Sequence, residues 1–479
     1  MAVLTGLQPR RVFEIFEEIS AIPHGSGNTQ AISDYCAAFA GRLGLPCRQD
    51  QAGNVVIVRE AAPGYESAGT VILQGHLDMV CEKTAGCLKD MAAEGLELSV
   101  DGDLVSARGT TLGADDGVAV AMALAVLEDA TLPHPRLEAV LTTGEEVGMT
   151  GAAAMDMPVL RGRRLINIDS EAEGVFTAGC AGGVLARCRL PVRRRVWEGS
   201  VLSVTVGDLA GGHSGAEIHR GRGNACVLLG RALDAVRQSC QMRLISAAGG
   251  LKVNAIPRAS SALIAVDSTE SARSAVRALD SVLKREFCDA DPNVFVRTEP
   301  AETAEAPMDE DSTARAVCLL LCGPNGVQTM STSLPGQVRT SLNLGILQTA
   351  ADTLTADYCI RSSLSSEKEW VKCRLACLLE QLGGTAAFSG DYPGWEYRPV
   401  SPLRQLMTEV YREQAGKEPK IEVIHMGVEC GFFCDRLPGM DCVSIGPDIR
   451  DIHTPREAMS ISSVQRVWSF LLEVLKRCR

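Results

Sequence analysis

His76 and Asp78, in Gly75-His-Leu-Asp-Met-Val80, directly follow a short apolar run, Thr70 to Gln74, that reads as a strand. Side chains two apart on a strand point the same way, and at the carboxyl end of a sheet that direction faces the ligand crevice. Alone, such an H-x-D is equally a capped loop. Asp115, in Thr110-Thr-Leu-Gly-Ala-Asp-Asp-Gly117, precedes a long Ala/Val/Leu segment, where a single carboxylate reads as a helix N-cap. Glu145 and Glu146 follow an apolar run ending at Thr142. Adjacent carboxylates repel and normally splay into water. A metal gives a reason to keep them together, one ligating while the other polarises a water. Asp169 ends the run Leu165 to Ile168, as a turn-former or as a ligand. His453, in Gly446-Pro-Asp-Ile-Arg-Asp-Ile-His-Thr-Pro455, is one of seven histidines in the chain. Each has a bland reading by itself, and the set carries the weight. Two imidazoles and three carboxylates are too many donors for one tetrahedral zinc with an open position, and they suit a dinuclear zinc centre with one carboxylate shared.

The elements that must position these residues follow from the apolar periodicity. Val12, Phe13, Phe16 and Ile19 recur at helical spacing after Pro9, and Ile32, Cys36, Phe39 and Leu43 form a second stripe. Apolar runs at Asn54 to Val58, Thr70 to Gln74, Leu137 to Thr142 and Leu165 to Ile168, with the long segment 117 to 129 among them, predict an α/β fold with a largely parallel sheet. After about residue 183 the pattern changes to α+β, with strands at Val201 to Val206 and Ser260 to Val266 and helices at Asn224 to Cys240 and Ser271 to Phe287. An acidic, Pro-containing stretch, Glu299 to Ser312, interrupts this region before further strand-like and helical runs. Beyond the turn-rich Asp391-Tyr-Pro-Gly-Trp395 the α/β style resumes, so the middle region reads as an insertion.

The chain of 479 residues amounts to about three domain-equivalents at ~150 residues each. With 46% hydrophobic and 22% charged residues it has the makings of a folded core. A net charge of −12 is opposite in sign to a phosphate-backbone binder, so nucleic acid and anionic membranes are not expected partners. The longest apolar run, Val118 to Leu127, is about half of what a membrane span needs. Glu14, Glu17 and Glu18 interrupt the first periodic segment, so no secretory leader is expected. The 18 cysteines include no C-x-x-C pair and fit small buried thiols in a reducing cytoplasm.

Several segments together resemble the aminoacyl-histidine dipeptidase family, which belongs with carnosinase and carboxypeptidase G among the dinuclear zinc peptidases. They are Gly75 to Val80, Ala107 to Gly117, Thr143-Gly-Glu-Glu-Val-Gly148, Asn167-Ile-Asp-Ser-Glu171, Gly179-Cys-Ala-Gly-Gly183, Gly211-Gly-His-Ser-Gly-Ala-Glu-Ile-His219 and Asn254-Ala-Ile-Pro-Arg258. The likeness runs in consistent order from about residue 7 to about residue 475. It implies that His76, Asp115, Glu146, Asp169 and His453 ligate two zinc ions per chain, with Asp115 bridging, Asp78 supporting His76, and Glu145 as general base. The same donors would take cobalt or manganese. Asp116 stands where the resemblance implies asparagine. The implied architecture is a zinc-peptidase catalytic domain, residues 1–183 with 394–479, and an inserted α+β lid, residues 184–393. From the lid, His213 would polarise the scissile carbonyl, and Asn254 and Arg361, the latter in Cys359-Ile-Arg-Ser-Ser363, would hold the substrate carboxylate. His425 and Glu429, in His425-Met-Gly-Val-Glu-Cys-Gly431, are further implied pocket residues.

The resulting expectation is a cytoplasmic metal-dependent dipeptidase acting on small peptides such as Xaa-His, including carnosine-like ones. The sequence leaves homodimer formation open. The alternative within this architecture is an N-acyl amino acid amidohydrolase, since both reactions cleave an amide beside a carboxylate. A non-catalytic metal-binding protein is the rival from another class, and the retained Glu145 argues against it.

Overall fold

A computed structural model describes residues 3–479. It divides into two compact units, one made of the chain through Gly179, Trp395–Val423 and Val428–Arg479, the other of Cys180–Gly394 with Ile424–Gly427.

The first unit is built on an eight-stranded sheet. From edge to edge its strands are Cys47–Gln49, Val55–Arg59, Leu137–Thr142, Val71–His76, Arg164–Asn167, Asp441–Ser444, Val175–Cys180 and Lys420–Ile424. The four strands from Leu137–Thr142 to Asp441–Ser444 are mutually parallel. Antiparallel pairs flank them, so the sheet is mixed rather than largely parallel. Every residue of Val71–His76, Leu137–Thr142 and Asp441–Ser444 is buried, as strands covered on both faces require. This is why they read in sequence as continuous apolar runs.

The predicted stripe of Val12, Phe13, Phe16 and Ile19 lies on helix Arg10–Ser20 and is buried against helix Ala114–Glu128. That second helix is apolar all round, and nearly all of it is inside the core. Its regular turns begin only after Asp115 and Asp116, which have non-helical backbone angles, and Gly113 before them adopts the left-handed conformation that glycine tolerates. Asp115 therefore makes no side-chain cap, and its carboxylate is free for another role. A four-stranded sheet of Leu98–Asp101, Leu104–Ala107, Ala458–Ser460 and Ile449–Arg450 ties the carboxyl-terminal segment back to the start of this helix.

The second unit carries a nine-stranded sheet whose recorded pairings are all antiparallel, centred on the hairpin of Val338–Thr349 and Thr353–Ser362. Helices Ala225–Ser239, Thr269–Glu286, Glu310–Cys322 and Ser365–Gln381 pack against it around a core of its own. Among the described residues, no helix is long and apolar enough to cross a membrane.

Candidate metal centre

The carboxyl end of strand Val71–His76 delivers His76, whose side chain is buried. Its Nδ1 lies 2.9 Å from the Asp78 carbonyl oxygen, which fixes a proton there and leaves Nε2 as the nitrogen that faces the carboxylates. Gly75 is needed beside it: a Cβ there would sit 2.5 Å from Asp116 Oδ2 and 2.6 Å from the Ala119 methyl. That close approach lets Asp116 Oδ2 accept the His76 peptide N–H at 3.0 Å.

Asp115 stands between the two imidazoles. Its Oδ1 is 3.1 Å from His76 Nε2 and its Oδ2 is 3.1 Å from His453 Nε2. Asp169 Oδ1 lies 3.5 Å from the same His76 nitrogen. Glu146 Oε1 lies 2.9 Å from His453 Nε2 but is not aligned with it as a hydrogen bond, and it has no other partner although buried. The donors thus gather about two imidazoles that Asp115 faces in common: His76 has Asp115 and Asp169 near its Nε2, with an Asp116 oxygen also in reach of that group, and His453 has Asp115 and Glu146. Glu145 offers an oxygen within 4.8 Å of donors on His76 and Glu146.

Asp78 works through two different groups. Its carbonyl orients His76, while its carboxylate accepts the peptide N–H of Glu145 on Oδ1 (3.0 Å) and of Glu146 on Oδ2 (3.3 Å). That second task, holding the turn that presents both glutamates, was not readable from the sequence. Glu457, which the sequence also gave no reason to choose, is buried with its carboxylate over the start of helix Ala114–Glu128. Its Oε2 accepts the N–H groups of Leu112 (2.9 Å) and Gly113 (3.1 Å), and its Oε1 accepts those of Ala114 (2.8 Å) and, more weakly, Asp115 (3.4 Å).

Electrostatics show what such a cluster requires. Burial pushes the pKa of Glu145 well above the ordinary range, and Asp169, Glu429 and Glu146 add to it. Asp116 is raised by burial and by Asp169. His453 is pushed up to about 10 by Asp115 and Glu146. Burial pulls His76 down, but Asp115 and Asp169 outweigh it. Buried carboxylates in excess over imidazoles are costly without compensating cations. The clustered donors, the buried Glu146 oxygen that no aligned hydrogen bond satisfies and this surplus of negative charge fit divalent metal ions.

The remaining predicted residues divide between the two units. Glu429 belongs to the first unit and is fully enclosed, its Oε2 accepting hydrogen bonds from Gln74 Nε2 and Thr142 Oγ1 at 2.5 Å each. Burial raises it to about 7. His213, Asn254, Arg361 and His425 belong to the second unit. His213 lies on the two-residue strand Gly212–His213, paired with Ala255–Ile256 immediately after exposed Asn254. Its Nδ1 accepts the N–H groups of Gly215 (3.2 Å) and Ala216 (3.1 Å), so the ring proton resides on Nε2 as a donor. Burial and the nearby Arg361 lower its pKa, which keeps the ring neutral. Arg361 is buried, its Nη1 donating to the Tyr392 hydroxyl at 3.2 Å. His425 bonds Ser341 Oγ at 2.7 Å, and its pKa is pulled to about 3 by burial and by Arg361, His219 and His213. The second unit therefore gathers the His213 and His219 imidazoles and the Arg361 guanidinium about His425, His219 being the member the sequence reading did not select.

Residues 72–477 match peptidase family M20/M25/M40, and the chain belongs to that family. It is 38% identical over 480 residues to the cytosol non-specific dipeptidase of Escherichia coli K12, with 99% of each chain covered. The crystal structure of aminoacylhistidine dipeptidase from Vibrio alginolyticus is similar with a TM-score of 0.95 at 35% identity, over 99% of this chain and 97% of that one. A tripeptidase from Staphylococcus aureus, 18% identical with a TM-score of 0.58 over 98% of this chain and 99% of that one, shares the fold.

Proposed function

We propose that the chain is a cytoplasmic metal-dependent dipeptidase that hydrolyses dipeptides of the Xaa-His kind and holds two zinc ions. The observation that carries this reading is Asp115, each of whose oxygens faces a different imidazole. The names of the two relatives above support the substrate class. His76, Asp115 and Asp169 would hold one ion, and Asp115, Glu146 and His453 the other. Bound there, the metal ions supply Lewis acidity, activating a water and polarising the scissile carbonyl.

The chain's own residues do the rest. Glu145, its basicity raised by burial, takes a proton from the attacking water and returns it to the leaving amine. Asp78 keeps Glu145 in place through the peptide N–H. His213 donates through Nε2–H to the carbonyl oxygen as it gains charge, which a neutral ring of this tautomer can do. Asn254 and Arg361 hold the substrate carboxylate, the bidentate guanidinium being suited to it. His425 borders the same group of second-unit residues. The division into residues 1–183 with 394–479 as catalytic domain and 184–393 as lid goes with this reading.

The test is turnover of Ala-His against N-acetyl-histidine by zinc-loaded protein, with a chelated control. We expect Ala-His to be cleaved, N-acetyl-histidine to be spared, and activity to vanish on chelation. Preferential cleavage of N-acetyl-histidine would assign the amidohydrolase reaction instead.

A further inference from the structure

Beside the candidate metal centre, within the first unit, lies a cavity of about 360 Å³ whose lining includes Met79, Cys81, Met91, Ala92, Val147 and Glu146. The last of these is one of the proposed metal ligands, so the cavity borders the centre. No lysine, arginine or histidine lines it among the described residues. Met79 and Met91 are buried, whereas Val147 is 61% exposed at the rim.

The walls are built rather than incidental. The segment His24 to Asn28 lies against Met79 to Cys81, with Ser26 N–H donating to the Met79 carbonyl at 3.2 Å and Met79 N–H to the His24 carbonyl at 3.2 Å. Asn28 Nδ2 donates to the Ala92 carbonyl at 3.0 Å, closing the opposite side. Ser26 Oγ donates to Asp78 Oδ2 at 2.8 Å. The carboxylate of Asp78 therefore holds both the cavity wall and the peptide groups of Glu145 and Glu146. A side chain seated in the cavity is registered against the glutamates by one residue.

The geometry points to this cavity as the subsite for the side chain of the substrate's amino-terminal residue, and to an unbranched or γ-branched apolar side chain, such as methionine or leucine, as its occupant. This rests on the dipeptidase reading, in which Asn254 and Arg361 hold the carboxylate of the carboxyl-terminal residue, so that a pocket lined by a metal ligand is left for the amino-terminal side chain. Thioether lining is soft and adaptable, so several apolar side chains fit where a rigid wall would select one. A carboxylate finds no cation there and meets Glu146.

The test uses the zinc-loaded full chain and two dipeptide series, X-His with X as Gly, Leu, Met or Asp, and Ala-Y with Y as Gly, Leu or Met. Filling an apolar pocket changes kcat/KM by about tenfold or more. Met-His and Leu-His should exceed Gly-His by at least about that factor, with Asp-His gaining nothing. In M91W, where an indole fills the cavity, the dependence on X should collapse while the dependence on Y stays as in the wild type. If M91W fails to fold, the wild-type X series decides alone. Turnover indifferent to X, or fastest with Asp-His, overturns the subsite and leaves the dipeptidase reading standing. No turnover of any dipeptide overturns both.

Discussion

Replacing Glu457 by glutamine tests whether the start of helix Ala114–Glu128 is held in place from the far end of the chain. The carboxylate accepts two N–H groups on each oxygen, from Leu112 and Gly113 on one and from Ala114 and Asp115 on the other. An amide keeps only one acceptor oxygen, so whichever way it turns, its NH₂ group confronts two peptide donors. Two hydrogen bonds to a charged acceptor are lost at ~1.5–3 kcal/mol each, or roughly 3–6 kcal/mol before relaxation. That is a large share of a total folding stability of about 5–15 kcal/mol. The strain falls on Asp115, the residue shared by both donor groups. Loss of a partner behind a metal ligand typically weakens metal binding about 10–100-fold. The assay is denaturant unfolding of metal-free protein alongside competitive zinc titration against a chelator of known affinity. Glu457→Gln should lower both stability and zinc affinity. A variant that is destabilised yet binds zinc as tightly as the wild type would show that Glu457 merely supports the fold, and unchanged values in both assays would refute the argument altogether.

Two further substitutions separate roles within the glutamate pair. Glu145→Gln should keep its zinc and lose about 10² or more in kcat, whereas Glu146→Gln should lose zinc, as read by metal analysis after dialysis. Zinc loss in both variants would cancel the assigned division of labour. A third expectation concerns His425, whose pKa lies near 3 in the folded chain against an ordinary 6.5. Between those values the unfolded chain binds a proton that the folded chain refuses, so this contribution to stability is full above pH 6.5 and is lost as pH falls toward 3. In urea titrations from pH 7 to pH 4, His425→Gln should therefore lose less stability than the wild type. A wild-type-to-variant difference that stays constant over this range would contradict the neutral, buried state of the ring.

Legibility in the sequence divided along physical lines. Val71–His76 and Leu137–Thr142 announced themselves because strands covered on both faces need unbroken apolar runs, and the helical stripe from Val12 to Ile19 because it has one buried face. The strands Leu98–Asp101 and Leu104–Ala107 passed unread, being four residues each with exposed or half-buried positions that break the pattern. The parallel core of the sheet was foreseen, but its antiparallel flanks were not, since strand direction depends on where the chain returns rather than on composition. Among site residues, His76, Asp115, Glu145, Glu146, Asp169 and His453 stand out by chemical type at the ends of elements, and the structure brings all six into one neighbourhood. Glu457 could not be found that way, because its partners are peptide N–H groups over three hundred residues earlier, which carry no side-chain signature. Glu429 was singled out by its motif alone, and what the motif could not show is that Gln74 and Thr142 hold one of its oxygens while the other is buried without a hydrogen-bond partner.

Strand Asp441–Ser444 lies in the interior of the eight-stranded sheet, between Arg164–Asn167 and Val175–Cys180. On the ribosome, those two neighbours emerge more than 250 residues before the strand that separates them. The second unit, nearly all of it the continuous stretch Cys180–Gly394, can close its own core in the meantime. The first unit must wait with two unpaired edges, a template for pairing with other chains. A nascent chain stalled or cleaved before Asp441 would therefore display a finished domain joined to an open, adhesive sheet. Quality-control factors that bind exposed strand edges would meet this protein late in its synthesis, at a stage when its first residues have long since left the exit tunnel.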